Sequence, residues 1–150
     1  MISIDDVKDH IRNRPYMSGV ERDQIRIKDL QEVFTPTWMV QELLDKLDQS
    51  LFSNVDQEFI DPTCGDGQFL GEVLIRKLEA GVAFAAALET IFGVDLMKDN
   101  VELCRERLLC GQEHLRYIVE KNIVQGNALN CSYTFGEPET FGPSGIFEIE

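Results

Sequence analysis

Three acid or amide side chains in this sequence sit where apolar runs give way to turns, and they are the residues best placed to do chemistry. Asp61-Pro62-Thr63-Cys64-Gly65-Asp66-Gly67 follows directly on Phe59-Ile60. That succession is the pattern of a strand that breaks into a glycine-rich turn and then a helix. Gly65 and Gly67 let the backbone turn sharply and let a ligand approach without meeting a Cβ. No Lys-Ser or Lys-Thr follows the turn, and an acid opens it. A carboxylate there repels pyrophosphate and attracts a cation, so the turn suits a ligand bearing an amine or a sulfonium better than a nucleotide phosphate. About 30 residues on, Ile91-Phe92-Gly93-Val94 ends in Asp95, an acid placed to accept both hydroxyls of a ribose. Ile123-Val124-Gln125-Gly126 ends in Asn127, whose side-chain oxygen can accept from an exocyclic amine.

The elements that position these groups follow from periodicity. Thr35-Pro36 has the form of a helix cap followed by Pro at the first helical position. Met39, Val40, Leu43, Leu44, Leu47 and Leu51 then recur at helical spacing, with Trp38 read as part of the same core-facing set. Phe59-Ile60 reads as a short buried strand. Phe69, Leu70, Val73, Leu74 and Leu78 form the inner face of a helix that Gly81 ends. Ala83 to Thr90 reads as a second short helix, and Ile91 to Val94 as a strand. A further helix opens at Asp99 or Asn100, carries Val101, Leu103, Cys104, Leu108 and Leu109 inward, and closes at Gly111. Tyr117 to Val119 fits helix or strand, and Ile123 to Gly126 is the third strand. Strands alternating with helices imply a parallel sheet flanked by helices. Asp66 has no assigned partner and reads as a solvated turn residue.

Composition narrows the function classes. The chain has 150 residues, 43% hydrophobic and 27% charged, enough for one domain with a real core. Two segments are expected, an N-terminal helical arm over 1–33 and a main domain over 34–150. No run approaches the ~20 apolar residues of a membrane span, and the acidic start does not resemble a secretory leader. A cytoplasmic location is expected. Cys64, Cys104, Cys110 and Cys131 form no C-x-x-C pair, so reduced, partly buried thiols are expected and no metal site. Net charge is −13; the first 40 residues hold 7 acids and 6 bases, the remainder 20 and 8. The main body therefore offers no basic track for a phosphate backbone. Contacts to nucleic acid would have to come from the arm, with Arg12, Arg14, Arg22, Arg26 and Lys28, or from a partner chain. A solvated lead-in is the simpler reading of that arm.

Phe34-Thr35-Pro36, the D-P-T-C-G-D-G-Q-F string from Asp61 to Phe69, Gly93-Val94-Asp95 and Gly126-Asn127-Ala128-Leu129 occur in that order. Together they resemble the cofactor half of the adenine-N6 DNA methyltransferases, in the arrangement of type I modification subunits and related type II restriction-modification enzymes. The resemblance covers about residues 31–130. It implies a Rossmann-like S-adenosylmethionine-dependent methyltransferase fold, truncated in its later strands. It also implies S-adenosylmethionine as cofactor. Thr35 would meet the methionine carboxylate. Asp61, Pro62, Cys64 and the Gly65–Gly67 backbone would hold the methionine end. Asp95 would take the ribose hydroxyls, Leu96 would pack on the adenine, and Asn127, where the family more often has Asp, would face the adenine amino group. The family's catalytic Asn/Asp-Pro-Pro-aromatic element has no counterpart, since no two of the five prolines are adjacent. The expected function is cofactor binding in a DNA adenine methylation system. Catalysis would be completed by a second methyltransferase subunit or a homodimer. The alternative is a non-catalytic cofactor-binding or acidic regulatory, anti-restriction protein.

Overall fold

The computed structural model describes residues 2–13, 35–130 and 133–136. Phe34, the basic residues Arg14, Arg22, Arg26 and Lys28, Cys131, and the loop-like stretch from Glu137 onward lie outside the described residues. Helix α1 (Ile4–Asn13) comes first, then α2 (Thr37–Asp45) and a single turn, α3 (Ser50–Ser53). Strand β1 (Phe59–Asp61) leads to α4 (Gln68–Glu79) and α5 (Phe84–Glu89). Strand β2 (Ile91–Asp95), α6 (Lys98–Leu109), α7 (Arg116–Asn122) and β3 (Ile123–Gln125) complete the alternation. All pairings are parallel and the strand order is β1-β2-β3. The expected α/β architecture, a parallel sheet flanked by helices, is therefore present. The segment around Tyr117, open between helix and strand in the sequence, is helical.

Register decides where the first turn goes. Phe59 pairs with Ile91 and Asp61 with Gly93, so β2 runs two residues past the end of β1. The chain leaving β1 folds onto that overhang, with the Cys64 amide donating to the Val94 carbonyl at 2.8 Å. At the other end of the strands, Lys77 is fully buried and donates to the Gln57 carbonyl and the Thr90 hydroxyl at 2.8 and 2.9 Å. It thereby ties the entrances of β1 and β2 together. Its burial lowers the lysine pKa, because desolvation disfavours the ammonium.

The core lies between the sheet and the helices, with Leu70, Leu74, Ile91, Val101, Leu108 and Ile123 each at most 2% exposed. Helix α1 belongs to this core. Val7 and Ile11 are 0% exposed, and Lys8 and Arg12 pair with Glu79 and Glu72 of α4. Residues 4–13 are thus not the solvated lead-in that their mixed charge suggests. An i, i+4 apolar pair, Val7 and Ile11, and the two ion pairs that flank it seat this helix.

Other local expectations shift for identifiable reasons. Helix α2 starts at Thr37, and its capping position is Pro36 in an extended conformation, not Thr35. The Pro36 carbonyl accepts from the amides of Met39 and Val40. Val40 and Leu44 are buried, whereas Met39, Leu43 and Leu47 stay exposed, because α2 ends at Asp45 and touches the body along one narrow stripe. Trp38 is 58% exposed and is not a core residue. Ile60 is 56% exposed, since alternation turns it away from Phe59, which stacks on Phe52. Helix α6 ends at Leu109, and the residue that caps it is Cys110, left-handed at φ 52°, rather than Gly111.

The seat of α1 is testable. A Cβ built on Gly71 of α4 would lie 2.7 Å from Ile11 Cγ2, so only glycine permits this approach. Gly71→Ala should lower the unfolding free energy by about 1–3 kcal/mol in urea titrations followed by circular dichroism. A loss under ~0.5 kcal/mol, within the usual scatter of surface substitutions, would mean that α1 does not pack there.

Candidate functional site

The turn between β1 and α4 is built from the residues that the sequence singles out. Gly67 caps α4 in a left-handed conformation, φ 97°, which side-chain-bearing residues rarely adopt. Its amide donates to the Cys64 carbonyl at 2.9 Å, closing the turn. A Cβ on Gly93 would lie 2.8 Å from Leu70 Cδ1 and 2.9 Å from Cys64 Cβ. The glycine in β2 is therefore what lets the turn and α4 lie against the sheet. Gly65, by contrast, faces open space on its Cβ side.

A cavity of about 150 Å³ opens at this turn, lined by Thr35, Asp61, Thr63, Gly65 and Gln68 among others. It lies at the carboxyl end of β1, where open parallel sheets bind ligands. Gln68 draws the start of α2 over it by donating from its side-chain amide to the Thr35 carbonyl. Pockets for whole small molecules usually measure ~300–1,000 Å³, so this one accommodates one end of a ligand. A larger cavity, about 410 Å³, lies between α1, α2 and α4. Its charges are consumed internally. Arg12 grips Glu72 with two bonds of 2.9 and 3.1 Å, Gln41 also bonds Glu72, and Arg76 pairs with Asp45. That network fastens the three helices.

Asp61 accepts from the Thr63 amide at 3.0 Å. Burial raises its carboxyl pKa above the ordinary range; the Thr63 bonds oppose the shift and the nearby Asp95 charge adds to it. The Asp95 carboxylate receives three bonds, from Gly65 N at 3.1 Å on one oxygen and from Met97 N at 2.9 Å and Asn100 Nδ2 at 3.1 Å on the other. A diol here would have to share or displace these donors. Leu96 is 61% exposed beside it. The Asn127 side-chain oxygen accepts from Leu129 N at 3.0 Å, and Gly126 N donates to the Asp95 carbonyl, so the ends of β2 and β3 are linked. Pro62 is exposed.

Cys64 also lines the cavity, yet is only 4% exposed. Its thiol pKa is pushed far up by a hydrogen bond with Cys104 and by burial, and burial pushes Cys110 up to about 12. Both therefore stay protonated and serve as packing atoms. The described residues include no group of three or more His, Cys, Asp or Glu that could hold a metal ion.

One member of the turn departs from its sequence reading. Asp66 is 0% exposed, not solvated, and pairs with Arg107 of α6 at 3.5 Å. A signal existed. Arg107 lies three residues after Cys104 and one before Leu108, on the face of α6 that otherwise points inward, where an arginine needs a buried partner.

Comparison with known proteins returns no matching family model, no curated protein and no solved structure.

Asp61 yields a test with a defined sign. A carboxyl whose folded pKa is raised adds stability that is fully present below about pH 4, its unfolded value, and lost as pH rises through the folded value. Asp61→Asn keeps an acceptor for Thr63 N and removes the buried charge. Its melting temperature should exceed that of the wild type by about 2–5 °C at pH 7, and the gap should close toward pH 3.5. A gap independent of pH would show that Asp61 is not held above its ordinary pKa.

Proposed function

We propose that this chain binds S-adenosylmethionine and serves as the cofactor-holding part of a DNA adenine-N6 methyltransferase, with Rossmann-like topology. The observation that carries the reading is the glycine turn at the carboxyl end of β1, set between Asp61 and Asp95. The strand order β1-β2-β3 advances in one direction, as one half of a doubly wound sheet does.

The residues present suit that cofactor at its cationic end. Asp61 offers a partly buried carboxylate, and Gly65 leaves its Cβ side open for close approach. Thr35, Thr63 and Gln68 line the same cavity with polar groups. Leu96 presents an exposed apolar side chain for a flat ring next to Asp95, and Asn127 follows at the end of β3. S-adenosylmethionine would supply an electrophilic methyl on a sulfonium. The chain's own part would be to hold the cation beside the Asp61 and Asp95 carboxylates and to leave the Gly65 side open to close approach. That methyl is the group an adenine amine would accept, and Asp61 and Asp95 would hold the cofactor for the transfer. Positioning of this kind supplies much of the rate in such transfers.

A second reading is a non-catalytic cofactor-binding or acidic regulatory protein. Two observations favour it: no Asn/Asp-Pro-Pro-aromatic string occurs, and residues 41–150 hold 20 acids and 8 bases. In the first reading a partner chain supplies the missing catalytic element and the DNA contacts.

Isothermal titration calorimetry with S-adenosylmethionine tests the shared core of both. Micromolar binding is expected, weakened at least tenfold in Asp61→Ala and Asp95→Ala. Affinity should also fall in the wild type as pH is lowered toward the carboxylate range, earlier than for an ordinary carboxyl because the pKa of Asp61 is raised, and stay flat in Asp61→Asn. A well-folded wild type that binds nothing would remove the cofactor assignment.

A further inference from the structure

We propose that Arg107 is a positioning residue for the cofactor site, and that through it the N-terminal helix α1 sets the shape of the glycine turn. The ligand half of this proposal rests on the reading given under Proposed function; the structural half does not.

Arg107 is 1% exposed and stands where three pieces of the protein meet. Its Nε donates to the Ile11 carbonyl at 3.0 Å. Ile11 lies in the last turn of α1, where carbonyls have no intrahelical partner and the helix end is partly negative, so a guanidinium is well placed there. Its Nη1 meets Asp66 Oδ1 at 3.5 Å, at the centre of the glycine turn. Its Cδ stands 3.4 Å from where a Cβ on Gly67 would be and 3.9 Å from the same point on Gly71. One side chain therefore bridges the end of α1, the turn and the first helical residues of α4.

The turn is held on both flanks. On the sheet side, Gly65 N is bonded to Asp95. On the helix side, Asp66 is drawn under the turn by Arg107. Asp66 lies between the two glycines, so its position fixes where the Gly65 and Gly67 amides point. A rigid guanidinium fork can address a carbonyl and a carboxylate at once, which a lysine ammonium does less well. A buried ion pair is a poor source of net stability compared with apolar packing. What this pair adds is geometry, since it forces the turn to one place relative to α1. The seat of α1 is itself specific. Ile11 lies over Gly71, and His10 Nε2 is 2.9 Å from the Glu106 carbonyl of α6. Loosening α1 removes one anchor of Arg107, and with it one flank of the turn.

The test uses the full chain with Arg107→Met, Arg107→Lys and Asp66→Asn, read by amide hydrogen exchange without ligand and by calorimetry with S-adenosylmethionine. Arg107→Met should accelerate exchange at the Gly65 and Gly67 amides at least tenfold, and in α1, while β2 and β3 stay protected. Its affinity for S-adenosylmethionine should fall at least tenfold, with Arg107→Lys intermediate. Asp66→Asn, near-isosteric and the safeguard should Arg107→Met fail to fold, should reproduce the faster exchange in the turn but leave α1 protected. Exchange raised evenly over the whole domain, or affinity and turn exchange within twofold of wild type in Arg107→Met, would overturn the proposal. If Arg107→Met does not fold, unchanged turn exchange in Asp66→Asn would overturn it. If the wild type binds no S-adenosylmethionine, the cofactor reading fails, and the exchange data alone decide whether Arg107 sets the turn.

Discussion

Gly65 donates its amide to the Asp95 carboxylate, and this bond joins the end of β1 to the end of β2 at the one point where both strands release their chains. The two-residue overhang of β2 makes it possible, because it brings Asp95 level with a turn that has already left the sheet. Much of the site's local geometry follows from this contact. With the turn closed by Gly67 N on the Cys64 carbonyl, α4 starts at a fixed place and its Leu70 side meets Gly93. An acid at the end of β2 thus acts as a structural anchor, whatever else it offers a ligand.

The second anchor is electrostatic and buried. Asp66 and Arg107 are 0% and 1% exposed at the side chain, deep enough that an unpaired charge would cost several kcal/mol. Their pairing removes that cost without adding much net stability. Other buried charged groups are likewise held by specific partners: Lys77 by the Gln57 carbonyl and the Thr90 hydroxyl, Arg105 by the Ile123 carbonyl among others, and Glu72 by Arg12 and Gln41. These contacts join elements distant in sequence. Together they let a small three-stranded sheet carry a turn of defined shape, with α1 as part of the support.

Charge shapes the proposed function in two opposing ways. Locally, Asp61 and Asp95 beside an open glycine turn favour a cationic ligand. Globally, an excess of acids over residues 41–150 disfavours direct contact with a polyanion. A cofactor-holding chain that relies on a partner for nucleic-acid contacts reconciles the two, as does an acidic regulator that retains the binding turn. No helix among the described residues is long and apolar enough to cross a membrane.

Local signals carried most of the architecture. The alternation of short apolar runs with helix-spaced leucines and valines placed the three strands of the described residues, and the glycines marked the turn, because these patterns depend on neighbours a few residues away. The D-P-T-C-G-D-G string likewise located the cavity. What the sequence by itself could not determine were relations between distant residues. Whether Asp66 was solvated or buried depended on an arginine 41 positions away. Whether α1 stood apart or docked depended on Gly71 leaving room for Ile11. Trp38 and Ile60 look like core residues by spacing, and only the narrow contact of α2 and the position of β1 in the sheet left them exposed. Periodicity reports which face of an element is apolar. It does not report what lies opposite, and the burial of a charge or the exposure of an indole is decided there.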